Sequence, residues 1–143
     1  MESFKIRKTE CLHVLRLDQG EYLLESICEF IKKEKITNGV VLSGIGTLDR
    51  CVLHMVTTVS YPPVEHFEKW HDKPLELSSI QGLIADGSPH LHAVVSDKDK
   101  AYSGHLEEGC RVLYLAEISI LQSNSANLAR VPNEKNVKML KKR

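Results

Sequence analysis

The chain has 143 residues, 19 basic against 19 acidic side chains, no net formal charge, and 42% hydrophobic and 27% charged residues. That is one ordinary globular domain with room for a core, and its balanced charge supplies no global positive field to gather phosphates. Strong autonomous DNA binding is not expected. No stretch approaches the ~20 apolar residues of a membrane span, and the opening Met1-Glu2-Ser3-Phe4-Lys5 lacks an apolar leader core. A cytoplasmic protein without membrane contact is the expectation, and four scattered cysteines, Cys11, Cys28, Cys51 and Cys110, with no C-x-x-C pair, fit free or buried thiols in a reducing compartment.

Leu12, Val14, Leu15 and Leu17 read as an opening strand. Asp18-Gln19-Gly20-Glu21 then has the spacing of a capping box, and Leu23, Leu24, Ile27, Phe30 and Ile31 recur at helical period, predicting an amphipathic helix from Glu21 to about Lys35 that exits at Thr37-Asn38-Gly39. The β-branched run Val40-Val41-Leu42-Ser43 predicts a strand covered on both faces. Gly44-Ile45-Gly46 matches neither the dinucleotide fingerprint nor a P-loop, so its glycines predict a bulge or a close backbone approach. Cys51 to Val59 and Phe67 to Trp70 read as further strands either side of Tyr61-Pro62-Pro63. Leu75 to Ile84, the turn Ala85-Asp86-Gly87-Ser88-Pro89 and His90 to Ser96 form a hairpin, and Val112 to Ile120 alternates as a long central strand. Beyond Leu121 the period is lost. Residues 1–121 are read as the domain and 122–143 as a loose basic tail carrying Lys135, Lys138, Lys141, Lys142 and Arg143.

The densest chemistry lies in Pro89-His90-Leu91-His92 and Ser103-Gly104-His105. Strand residues at i and i+2 face the same side, so His90 and His92 present paired imidazoles, and His105 on the next strand can supply a third. Three neutral imidazoles hold zinc or another divalent metal and leave a position open for a small ligand. The same spacing also fits histidines that are only hydrated on a half-exposed strand. His13, His54, His66 and His71 show no such clustering and read as structural or surface groups.

Gly44-Ile45-Gly46, Pro74-Leu75-Glu76-Leu77-Ser78-Ser79-Ile80-Gln81-Gly82, His90-Leu91-His92, Gly104-His105-Leu106, Gly109 and Glu117-Ile118, in that order, resemble the plant and prokaryote conserved (PPC) domain over about residues 8–121. The resemblance implies an α+β fold, a bent, mostly antiparallel sheet packed on one long helix, assembled as a homotrimer. It also implies a metal, most often zinc, on His90, His92 and His105. No Arg-Gly-Arg-Pro AT-hook precedes the domain, so a stand-alone, prokaryotic type is expected: a regulatory or binding module with a small molecule at the metal and weak or no autonomous DNA binding. The alternative is a hydrolase-like zinc enzyme that activates water, with Glu76 as acid or base and Asp86 and Glu117 as lesser candidates.

Overall fold

A computed structural model describes residues 1–6 and 8–143. The helical period becomes α1, Leu23–Lys33, with Leu23, Ile27 and Ile31 buried. The helix starts later than the capping box requires. Strand β1, Cys11–Asp18, runs through Asp18, whose backbone N–H donates to the Glu21 carboxylate and closes a turn ahead of the helix. The N-cap position falls on Tyr22, without a side-chain cap, and Glu25, three residues further on, accepts from the Gly109 N–H at 2.8 Å. The exit also comes early, at left-handed Lys35, and Asn38 and Gly39 already belong to β2, Asn38–Val56.

β2 is one 19-residue strand rather than two. Leu42 and Ser43 are exposed, so the expected double cover is missing on one face. The glycine reading holds: β2 shifts register against its neighbour between Gly46 and Leu48, and a Cβ on Gly44 would lie 1.7 Å from Ile80 Cγ2. β3 likewise spans Glu65–Ala85 without interruption. Asp72, Lys73 and Pro74 lie outside its ladder with β2, between the Arg50–His71 and Leu48–Leu75 pairs, where no backbone donor is demanded of proline. Left-handed Asp86 and Gly87 then turn β3 into β4, Ser88–Ser96, in a two-residue hairpin.

β5, Ala101–Leu106, and β6, Arg111–Gln122, complete a six-stranded sheet in the order β1-β6-β2-β3-β4-β5, with every pairing antiparallel. The sheet bends until β5 returns to β2 through Leu53–Leu106 and His54–His105. Strands β2 to β5 thus form a closed ring. Leu48, Leu53, Leu75, Leu77, Ile80, Leu91, Val95 and Leu106 are buried in one cluster that α1 joins. This is the expected bent antiparallel sheet with one helix.

Residues 122–143 differ from the loose tail expected of them. A 3₁₀ turn, Asn124–Ala126, leads into a hairpin of β7, Leu128–Pro132, and β8, Lys138–Lys142. Ala126 and Leu128 are buried with Ala85, and Phe4 and Leu140 pack against them. The buried Asn38 side chain accepts the Leu128 N–H at 2.7 Å, Arg130 donates to the Leu83 and Ser88 carbonyls at 2.9 Å each, and Arg143 pairs with Asp86. Polar docking of this kind leaves no hydrophobic period in the sequence.

Candidate metal centre

Cross-strand register assembles the site. His54 on β2 pairs with His105 on β5, His105 with His92 on β4, and His92 with Gln81 on β3, so four side chains from four strands stand in one row on the outside of the ring. His90 lies two residues from His92 and joins the same face. Leu53, Leu91 and Leu106, the neighbours in sequence, point inward and are buried. Gly104 permits the closure of β5 on β2, because a Cβ there would lie 2.7 Å from the His54 carbonyl oxygen.

The ring centres of His90, His92 and His105 are 5.4 Å (90–92), 5.0 Å (90–105) and 5.6 Å (92–105) apart. Three imidazoles sharing one tetrahedral ion at N–metal distances of about 2 Å have ring centres roughly 5 Å apart, so the rings are spaced as an ion needs, while their nitrogens do not yet converge within 4.8 Å of one another. The His54 ring lies 5.0 Å from His105 and stacks on Phe67 at 5.2 Å. A cleft of about 570 Å³ opens over the row, lined by Ser79, Gln81 and Ser103 besides the four histidines.

Glu107 ties the row together. One carboxylate oxygen, Oε1, lies 2.7 Å from His54 Nδ1 and 2.8 Å from His105 Nδ1. An ionised carboxylate only accepts, so each contact puts the imidazole proton on Nδ1 and leaves a lone pair on Nε2. A carboxylate behind a histidine in this way is how metal-binding imidazoles are commonly oriented. One ligating atom each from His54, His105 and Glu107 also lies within 4.8 Å of the others, so this trio is itself a candidate ligand set. Partial burial, with the neighbouring His105, lowers the pKa of His90 and of His92 from the usual imidazole value. Both are therefore biased toward the neutral, ligating form near neutral pH.

The three histidines read from the sequence thus stand together. Glu76 does not join them: it is exposed on β3 opposite Thr47 and Ser96, in depressions it shares with Thr47 and Tyr114. Asp86 is engaged by Arg143, and Glu117 is exposed on β6; neither lines the cleft. His54, read as structural or surface, and Glu107, unread, both belong to the cluster. Glu107 had a signal, since His105-x-Glu107 repeats the same-face spacing of His90-x-His92. His54 had none without the β2–β5 register.

The sequence model of the Plants and Prokaryotes Conserved (PCC) domain matches residues 5–124. The chain belongs to this family. Its fold is shared by a metal-containing protein of Archaeoglobus fulgidus, with a TM-score of 0.83, 22% identity, and 99% of this chain and 100% of that one covered. A plant- and prokaryote-conserved protein of Pyrococcus horikoshii aligns at TM-score 0.80 and 24% identity over 100% and 99% of the two chains. A candidate DNA-binding protein of Bacteroides thetaiotaomicron aligns at 0.78 and 17% over 96% of each. In sequence the chain is 28% identical over 124 residues, 85% of its length, to the bifunctional protein GlmU of a Synechococcus strain, and spans only 19% of that protein. The β7–β8 hairpin lies outside the PCC match. No helix among the described residues is long and apolar enough to cross a membrane.

Proposed function

We propose that this PCC domain protein is a homotrimeric binding or regulatory module that holds one divalent metal, zinc by choice of ligands, on His90, His92 and His105 and receives a small molecule in the cleft above them. The observation that carries this reading is Glu107 behind His105: its hydrogen bond to Nδ1 leaves Nε2 as the nitrogen free to ligate, with the His90 and His92 rings 5.0 and 5.6 Å away. When bound, zinc supplies Lewis acidity and an open coordination position. Gln81 and Ser103 offer amide and hydroxyl groups to orient a ligand beside it. A second metal reading has His54, His105 and Glu107 as the holding set, favoured by the 4.8 Å convergence of their ligating atoms. The first is preferred because 2.7 and 2.8 Å are hydrogen-bond separations that already use Glu107 as an acceptor.

Elemental analysis separates the two. The wild type is expected to carry up to about one ion per chain, His92→Ala none, and His54→Ala most of the wild-type content. Equal metal in wild type and His92→Ala would remove the site. A hydrolase-like reading would need an acid or base at the cleft, whose lining holds neither Glu76 nor Glu107; Glu107 stands behind His54 and His105.

Trimerisation is supported by the family and by exposed Leu42, Ile45, Leu83, Val94 and Leu115 on the strands. A monomeric mass by light scattering at micromolar concentration would oppose it. Duplex DNA is a weak partner in this reading: charges balance, and Arg130 and Arg143 in the terminal hairpin are already engaged. Affinity in the ~10⁻⁴ to 10⁻⁶ M range of non-specific contacts is expected at physiological salt.

A further inference from the structure

Cys51 and Cys110 lie behind the metal centre and take no part in it. Both side chains are fully buried, and their sulfurs are 3.9 Å apart. The β2–β6 ladder ends at the Arg50–Arg111 pair, and Cys51 and Cys110 are the next residues beyond it on the two sides of the ladder. Directly opposed residues on antiparallel strands have Cα atoms about 4.5–5.5 Å apart, inside the ~4.4–6.8 Å window that a disulfide spans. Two residues that continue the ladder fall in that range, and side-chain rotation has to bring the sulfurs from 3.9 Å to the ~2 Å of a bond.

We propose that Cys51 and Cys110 are an intrachain disulfide site, closed by a small hydroperoxide. Cys110 reacts first. It lies on the turn that opens to solvent; its sulfur accepts the Val52 N–H at 3.2 Å, has the Glu107 and Val52 carbonyls at 3.3 and 3.5 Å as acceptors for its thiol proton, and stands 3.9 Å from the Cys51 sulfur. The Cys110 thiolate attacks one peroxide oxygen, the O–O bond breaks, and Cys110 becomes a sulfenic acid as the other oxygen leaves and is protonated to water. The Cys51 sulfur then attacks the sulfenic sulfur, the S–O bond breaks, and the departing oxygen takes a proton to give a second water. Two thiols and one hydrogen peroxide thus give one disulfide and two waters.

Access comes from the turn 107–110, which leaves β5 at Glu107 and carries the exposed Glu108. Opening it by local fluctuation exposes Cys110 without unfolding the ring. A thiol on a flat, closed strand would have no such route.

The test uses the full chain with Cys11→Ser and Cys28→Ser, which removes the two exposed thiols. After hydrogen peroxide treatment of the folded protein, unfolding and alkylation, the expected product has lost the mass of two hydrogens. It contains a Cys51–Cys110 linked peptide and regains two alkylatable thiols on reduction. In the same background Cys51→Ser, which removes the resolving sulfur, is expected to leave a sulfenic acid on Cys110 that dimedone traps; if that variant does not fold, the linked peptide alone decides. Two thiols still alkylatable after peroxide, oxygen gained without a sulfur–sulfur bond, or a link between two chains would each overturn the proposal.

Discussion

Two points on β3, five residues apart, carry different kinds of surface. At Gln81 the strand joins a row that continues through His92, His105 and His54, tied by one carboxylate. At Glu76, five residues away, it borders depressions lined by Thr47, Tyr114 and Leu115, with Lys73 and Asp97 paired nearby. Both points come from one family motif, Pro74 to Gly82. Closeness in sequence did not bring Glu76 to the histidines, because a strand advances about 3.3 Å per residue and five residues already exceed the reach of a side chain. Ring closure, by contrast, brought His54 across 51 positions of chain to His105.

The sharpest break of this comparison is His92→Ala. It is expected to lower divalent-ion affinity well beyond the loss from any orienting group, measured by titration calorimetry, with the fold retained by circular dichroism. Glu107→Gln comes next: the amide can still accept from one imidazole but carries no charge, and a loss of about 10–100-fold is expected. Unchanged affinity would mean that Glu107 does not orient the ligands.

Gly104→Ala tests ring closure rather than chemistry. Its methyl would press on the His54 carbonyl at 2.7 Å, and the strands must part or strain, at a cost of roughly 1–3 kcal/mol in chemical denaturation. Metal affinity should fall with it, because His54 and His105 are the residues displaced.

The Glu76 end is sharpened by acid. Lys73, with the Asp99 and Lys100 backbone N–H groups, holds the Asp97 carboxyl well below the usual carboxylate range. The stability this contributes is fully present above the ordinary carboxylate pKa of about 4 and is lost as pH falls through the depressed folded value. Asp97→Asn should flatten that decline in denaturation midpoints measured below about pH 4. The smallest effect is expected of Glu76→Gln, which should leave ion affinity unchanged; a clear loss would place Glu76 in the metal's environment.

Much of the site was legible before the fold. The i, i+2 rule alone paired His90 with His92, and the glycines of Gly44-Ile45-Gly46 announced a close approach that Ile80 confirms. The helix was legible in its buried positions and not in its cap, because β1 took Asp18 and the Asp18–Glu21 contact closes a turn ahead of the helix. The terminal hairpin was not legible, since Asn38 and Arg130 dock it by hydrogen bonds that impose no hydrophobic period.

Local chemistry set by neighbouring residues was therefore readable in the sequence: where the helix lies, which way successive strand side chains face, and that His90 and His92 share a side. Only the tertiary structure decided what stands beside them. The addition of His54 to the row depends on β5 returning to β2, and the exclusion of Glu76 depends on the five residues of extended β3 that separate it from Gln81. Both are consequences of ladder register, which is chosen by burial of Leu53, Leu91 and Leu106 inside the ring, and a one-residue slip would turn every one of these histidines inward.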